Sequence, residues 1–239
     1  MRYLALLAVL FLAGCISNTS RIISVNSTMD TVSQASNSNP AVQPDFTVQV
    51  VTYSASPYEL KGYLYTPKGA GPFPAIVYNH GSEPQPGPKE AVASFFASHG
   101  YVVFVPHRRG QGLSSGPYVG DMVSGTPLER RQAQLDQLLM QADDVSAAFS
   151  YLKGLSVVDP GRMAVMGCSY GGIETVFTSE RQLGLKAAVD FAGASESWAE
   201  NPLLDERLKQ AVHHSTVPIF FSRRRTTTTP SLRRFFRRR

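Results

Sequence analysis

The sequence predicts an α/β fold, a mostly parallel central sheet with helices on both faces. Short apolar runs of strand length alternate with longer stretches of helical spacing, and Gly or Pro turns separate most of them. Two of the runs, FPAIVYNHG and YVVFVPHRRGQG, begin with apolar residues that do not alternate, as in strands covered on both faces.

Taken in order, residues 47–54 (TVQVVTYS) and 59–67 (ELKGYLYTP) alternate and carry β-branched residues, which reads as a hairpin or meander. Residues 73–81 form a buried strand ending in a His-Gly turn. A helix is expected over 88–99, where Ala91, Val92, Phe95 and Phe96 share a face and Gly100 stops it. The next buried strand, from 101, runs into a glycine-rich loop. Residues 127–153 contain neither Gly nor Pro after Pro127 and fit one or two helices, with Leu135, Leu138, Leu139 and the run 145–152 as the apolar stripe. There follow a turn and strand (DPGRMAVMGCS), a helix over 170–184, a strand over 185–193, a helix over 202–215 and a last strand, VPIFF. Right-handed crossovers through the helices make the sheet parallel after its antiparallel start.

The chain has 239 residues, of which 43% are hydrophobic, enough for one sizeable domain. Its formal charge of +5 is unevenly placed: eight of the 23 Lys and Arg lie in 222–239 without an acid, so residues 1–221 carry 15 − 18 = −3. The body therefore has no basic groove, and no nucleic-acid partner is expected. At the N-terminus, MRYLALLAVLFLAGC has one cation, Arg2, and an apolar run too short to span a bilayer. Its ending resembles the lipobox of bacterial lipoproteins, with Cys15 as the lipidated residue. That implies residues 1–15 as a signal peptide and a location in a bacterial cell envelope, held to an extracytoplasmic membrane face by acyl chains. Residues 16–45 are rich in Ser, Asn and Thr and read as a flexible tether. With Cys15 lipidated, Cys168 has no second cysteine to pair with, and no intrachain disulfide is expected.

The chemistry centres on GCSYGG, residues 167–172, which is G-x-S-x-G between an expected strand and an expected helix. Small residues on both sides let Ser169 sit in a tight elbow with its hydroxyl exposed, and the helix that follows aims its N-terminus at the site. The N–H of Tyr170 is one expected oxyanion donor. A second comes from YNHGSE, with Gly81, Ser82 and Glu83 as candidates. His80 reads as a structural residue of that loop. This chemistry needs no cofactor and no metal.

These segments, in this order, resemble an α/β-hydrolase of the dienelactone hydrolase and prolyl-oligopeptidase-like (S9-like) branch. The matching stretches are GYLYTPKGAGPFPAIVYNHGS, GYVVFVPHRRGQGLSSG and VVDPGRMAVMGCSYGG, and the resemblance covers about residues 47–221. It implies a serine hydrolase acting on small-molecule esters or peptides, in which Ser169 attacks a carbonyl, a histidine takes its proton and a carboxylate orients the histidine. In such folds the acid and the histidine follow the serine, usually beyond the strand that VPIFF represents. This chain has neither after Val217. Upstream alternatives are weak: Asp190 one strand earlier, Asp205 in a helix, His213 and His214 at the end of that helix, and His99 and His107 further back. The chain as written is therefore expected to be impaired. A non-catalytic binding protein on the same fold and an S9-like serine peptidase are the alternative readings.

The tail SRRRTTTTPSLRRFFRRR explains the gap if the reading frame shifts after Phe221. A family-like continuation, Phe-Gln-Ala-Glu-Asn-Asp-Tyr-Asp, written in GC-rich codons and read with one base lost, gives Ser-Arg-Arg-Arg followed by four Thr, the order of residues 222–229. The organisation is then leader 1–15, tether 16–45, hydrolase domain 46–221 truncated at its C-terminal end, and an out-of-frame tail 222–239. A cationic arm binding nucleic acid or anionic lipid headgroups is the competing reading of the tail.

Overall fold

The structure, a computed structural model, describes residues 45–222 apart from 123 and 194–199. The leader, nearly all of the tether, and the tail after Ser222 lie outside the described residues.

Seven strands form one sheet: β1 (Phe46–Ala55), β2 (Tyr58–Pro67), β3 (Phe73–Asn79), β4 (Val102–Pro106), β5 (Val158–Cys168), β6 (Ala187–Phe191) and β7 (Ile219–Ser222). Their order across the sheet is β1-β2-β4-β3-β5-β6-β7. The first two pairings, β1 with β2 and β2 with β4, are antiparallel, and every pairing from β4 to β7 is parallel. The helices are α1 (Glu90–Ser98), α2 (Pro127–Lys153), α3 (Tyr170–Ser179) and α4 (Pro202–His214). Among the described residues no helix is long and apolar enough to cross a membrane.

One face of the sheet packs Tyr65, Ile76, Val103 and Met166 against Val92, Ala93 and Ala97 of α1. The opposite face meets α2 through Val145, Ala148, Phe149 and Leu152. Beside that layer, α3 and α4 pack on the first half of α2 through Leu138, Ile173, Phe177, Leu204 and Leu208. Burying a Leu, Ile or Phe stabilises by about 1.5–3 kcal/mol, so these contacts supply most of what holds the helices to the sheet.

The stretch 127–153 is one helix, not two. Thr126 caps it: its side chain accepts from the Glu129 N–H while the Glu129 carboxylate accepts from the Thr126 N–H, and Pro127 holds the first turn. Besides the predicted apolar stripe, α2 buries Gln137, Gln141 and Asp144. The helix after the elbow is shorter than the sequence suggests, ending at Ser179 where 184 was expected. The hydroxyls of Thr178 and Ser179 turn back onto the carbonyls of Glu174 and Val176. Gln182 and Gly184 then take φ of 52° and 75°, which no α-helix accommodates. The last strand runs one residue past VPIFF, and the Ser222 carbonyl accepts from the Ala192 N–H at 2.8 Å.

Candidate active site

β5 ends at Cys168 and α3 begins at Tyr170, so Ser169 alone makes the turn, with φ 56° and ψ −122°. A residue with a Cβ pays about 1–3 kcal/mol to stay in so sparsely populated a region. Its amide donates to the Phe191 carbonyl at 2.9 Å and its carbonyl accepts from the Gly172 N–H at 2.8 Å, while the side chain remains exposed. Glycines make the turn possible. A Cβ on Gly167 would lie 2.5 Å from the Gly171 carbonyl carbon and 2.8 Å from Asn79 Cβ. One on Gly171 would lie 2.5 Å from the His80 oxygen, and one on Gly172 2.7 Å from Gly193 Cα. The elbow is thus wedged against the β3 loop on one side and the β6 turn on the other.

Tyr170 is the first residue of α3, so its N–H has no intrahelical acceptor and faces the site together with the helix dipole. The β3 loop, which carries Gly81 and Ser82, is held almost entirely by its carbonyls. Arg108 donates to those of His80 (Nη1, 3.0 Å) and Gly81 (Nη2, 2.6 Å). Tyr118 donates to that of Ser82 (2.8 Å), Gln111 to that of Glu83 (2.9 Å), and the Gly112 N–H to that of Pro84 (2.7 Å). His107 accepts from the Leu113 N–H through Nδ1 at 2.9 Å, so its proton sits on Nε2, which donates to the Gly87 carbonyl at 3.0 Å. The side chain of Glu83 curls over Gly81 and pairs with Lys89.

The remaining candidates fall in different places. Asp190 lies beside the elbow, paired in register with Gly167, and is almost fully buried. Its Oδ1 accepts from the Gly193 N–H at 2.7 Å, which ties it to the turn after β6. His80 is fully buried, with Nδ1 3.1 Å from Arg108 Nη2, and burial holds its pKa well below 6.5. Burial also lowers that of His107. His99 caps the C-terminus of α1. His213 and His214 close α4, and His214 faces Glu180 at 3.7 Å. Glu180 follows α3 at the end away from Ser169, about 15 Å along a ten-residue helix. Asp205 pairs with Lys209 on α4 at 2.7 Å. The structure therefore brings Ser169, Tyr170, Asp190 and the Gly81–Ser82 loop together, and leaves His99, His213 and His214 at the opposite end of the sheet. Among the described residues no group of three or more His, Cys, Asp or Glu is arranged to hold a metal ion.

Several residues around the site are not marked by the sequence pattern. Arg108 and Arg109 leave β4 in sequence order and both turn inward; Arg109 grips Asp144 of α2 through Nε and Nη2, with Nη2–Oδ1 at 2.6 Å. Glu174, one turn into α3, is fully buried with neither carboxylate oxygen hydrogen-bonded among the described residues. Burial raises its pKa to about 8, against an opposing pull from Arg108. Cys168 corrects an expectation: it is disulfide-bonded.

A model of the X-Pro dipeptidyl-peptidase (S15) family matches residues 58–218. Over 166 residues the chain is 28% identical to the quorum-quenching protein AidA of Acinetobacter baumannii, covering 66% of this chain and 49% of that one. The chain thus spans about half the length of the curated relative it matches. Among solved structures it is similar to an acylaminoacyl peptidase of Pyrococcus horikoshii, with TM-score 0.58 and 19% identity over 75% of this chain and 32% of that one. It is also similar to a protein assigned as a dienelactone hydrolase from Klebsiella pneumoniae, with TM-score 0.52 and 15% identity over 75% of this chain and 85% of that one. At those identities the likeness establishes the α/β-hydrolase fold. Since the family match runs from the start of β2 to the residue before β7 and spans more than half of the sequence, the chain belongs to the X-Pro dipeptidyl-peptidase (S15) family of hydrolases.

Proposed function

We propose that the protein is a serine hydrolase that cleaves ester or peptide bonds of small substrates through an acyl-enzyme on Ser169. The observation that carries this reading is the exposed serine held at φ 56° between β5 and α3. Ser169 Oγ attacks the carbonyl carbon and its proton passes to a base. The carbonyl oxygen takes the negative charge and accepts hydrogen bonds from the Tyr170 N–H and from the Gly81–Ser82 loop. Collapse expels the alcohol or amine, and water then releases the acid from Ser169.

The base and the acid have no assignment. His80 and His107 are buried and bound within the loops, and the other three histidines end α1 and α4. Slow turnover is the expectation, since a nucleophile with its oxyanion donors but an incomplete triad retains on the order of 10³–10⁴-fold rate over water. A fluorophosphonate probe tests this. Covalent labelling that Ser169→Ala abolishes is the expected result, and p-nitrophenyl esters set against Xaa-Pro p-nitroanilides separate ester from peptide hydrolysis. If the folded chain neither labels nor turns over either substrate, the non-catalytic binding reading takes its place.

We also read Cys15 as a lipid attachment site that tethers the domain to an extracytoplasmic membrane face. Radiolabelled palmitate incorporation, lost in Cys15→Ser, is the expected result. A protein that takes up no label and does not partition with membranes sinks the anchor. For the tail, the nucleotide sequence around codon 222 decides: restoring one base must open a frame that supplies an Asp and a His.

A further inference from the structure

We propose that Arg108 is a positioning residue that sets the oxyanion donors, a role that rests on the serine-hydrolase reading of the elbow. The guanidinium is fully buried, yet among the described residues no carboxylate lies within hydrogen-bond distance of it. Taking a cation out of water without a counter-charge in contact is among the most costly arrangements a protein interior holds. Its partners are neutral: the Gln141 Oε1 at 3.2 Å from Nε, the His80 carbonyl at 3.0 Å from Nη1, and the Gly81 carbonyl and His80 Nδ1 at 2.6 and 3.1 Å from Nη2. Its fifth contact is the ring of Tyr170, with Cζ 5.3 Å from the centroid.

These partners share one property. In a trans peptide the C=O and the following N–H point in opposite directions. Holding the carbonyls of His80 and Gly81 on a buried guanidinium therefore turns the amides of Gly81 and Ser82 away from the interior, and Ser82 lies on the surface, as Ser169 does. The same guanidinium lies over the Tyr170 ring, and Tyr170 carries the other donor. One cation thus fixes the orientation of both halves of the oxyanion site, and the backbone contact of Gly171 with His80 sets their spacing. A planar fork can hold two carbonyls and a ring face together; an ammonium cannot.

The test uses the full chain with Arg108→Met, Arg108→Lys and, as a control for general destabilisation, Arg109→Lys. Fluorophosphonate labelling of Ser169 is resolved into the probe affinity and the limiting rate, and ¹⁵N relaxation is read at Gly81 and Ser82. The expected result is a limiting rate lowered on the order of 10²–10³-fold in Arg108→Met. Probe affinity changes by less than about threefold, since a donor hole acts on the transition state. Order parameters at Gly81 and Ser82 drop from about 0.85 to below about 0.6. Arg108→Lys keeps the buried charge and the fold, and still loses at least about tenfold in rate, whereas Arg109→Lys lowers the melting temperature and leaves both readouts unchanged. An unchanged limiting rate in Arg108→Lys, or rigid amides at Gly81 and Ser82 in either Arg108 variant, overturns the proposal. Should the unmodified chain fail to label at all, the relaxation readout still decides the role of Arg108, while the hydrolase reading fails separately.

Discussion

Arg108 and Arg109 are neighbours in sequence, and both are withdrawn from water, yet they sit in two different kinds of interior. Arg109 meets the fully buried Asp144 in a forked pair, receives the backbone amide's help at the same carboxylate, and packs over Tyr58. Arg108 has only carbonyls, an amide oxygen, an imidazole and a ring, and the nearby Glu174 is kept from ionising by its burial. The Arg109 side of the loop is satisfied and joins β4 to α2. The Arg108 side, next to the elbow, leaves polar atoms of Tyr170, Gln141, His80 and Glu174 without partners among the described residues. Stability has been given to one side and geometry to the other.

The largest effect is expected where the satisfied side is broken. Asp144→Asn strips the counter-charge from a nearly buried guanidinium and should cost about 3–5 kcal/mol in denaturant titration, without changing the Ser169 labelling rate per folded molecule. Loss of labelling in proportion to a small stability change would erase the distinction between the two sides.

Next comes the pH dependence of the unsatisfied side. Glu174 has a folded pKa of about 8 against an unfolded value of 4.5, so the folded state holds the extra proton, and its contribution is full below 4.5 and declines as pH rises through 8. His80 and His107 are lowered below 6.5, so the unfolded state binds their protons first and stability falls as pH drops below 6.5. The histidines thus limit stability on the acid side and Glu174 on the alkaline side. Glu174→Gln should remove the alkaline limb, worth up to about 1.4 kcal/mol per pH unit, and leave the acid limb. An alkaline limb that survives in Glu174→Gln assigns it to another group.

Two smaller effects bracket the comparison. Ser169→Gly relieves the backbone at φ 56° and should raise stability by about 1 kcal/mol or somewhat more, in a protein that no longer labels. Thr126→Ala removes the cap of α2, remote from both arginines, and should cost about 1 kcal/mol at neutral pH and less in acid, where Glu129, whose pKa the hydrogen bonds of Thr126 lower, takes up its proton. A cost that also changes above neutral pH would indicate that the polar network extends further along α2 than its contacts show.

Much of this was legible in the sequence, for definite reasons. β3 and β4 show as apolar runs because strands covered on both faces have no polar side. The elbow shows because a backbone turn this tight leaves room only for glycine at 167, 171 and 172. What stayed hidden lies along α2 and after β4. Gln137, Gln141 and Asp144 interrupt the apolar stripe and read as a solvent face, though all three are buried. Gln137 meets the Met122 sulfur, while the partners of Gln141 and Asp144 are Arg108 and Arg109, and an Arg in a glycine-rich loop reads as surface unless its acceptors are known. The early end of α3 was hidden likewise, since hydroxyl bonds back to the helix backbone leave no mark on hydrophobic spacing.

The three elbow glycines have a consequence for how this chain can change. Each excludes a methyl group because of backbone it touches, so they would be retained by a descendant that had abandoned hydrolysis. Position 169 is under the reverse pressure: the backbone there favours glycine, and only the hydroxyl argues for serine. A glycine-rich turn is thus a record of the fold, and the serine within it a record of use. Across related chains, the residue at this one position would separate working hydrolases from retired ones more cleanly than the motif as a whole.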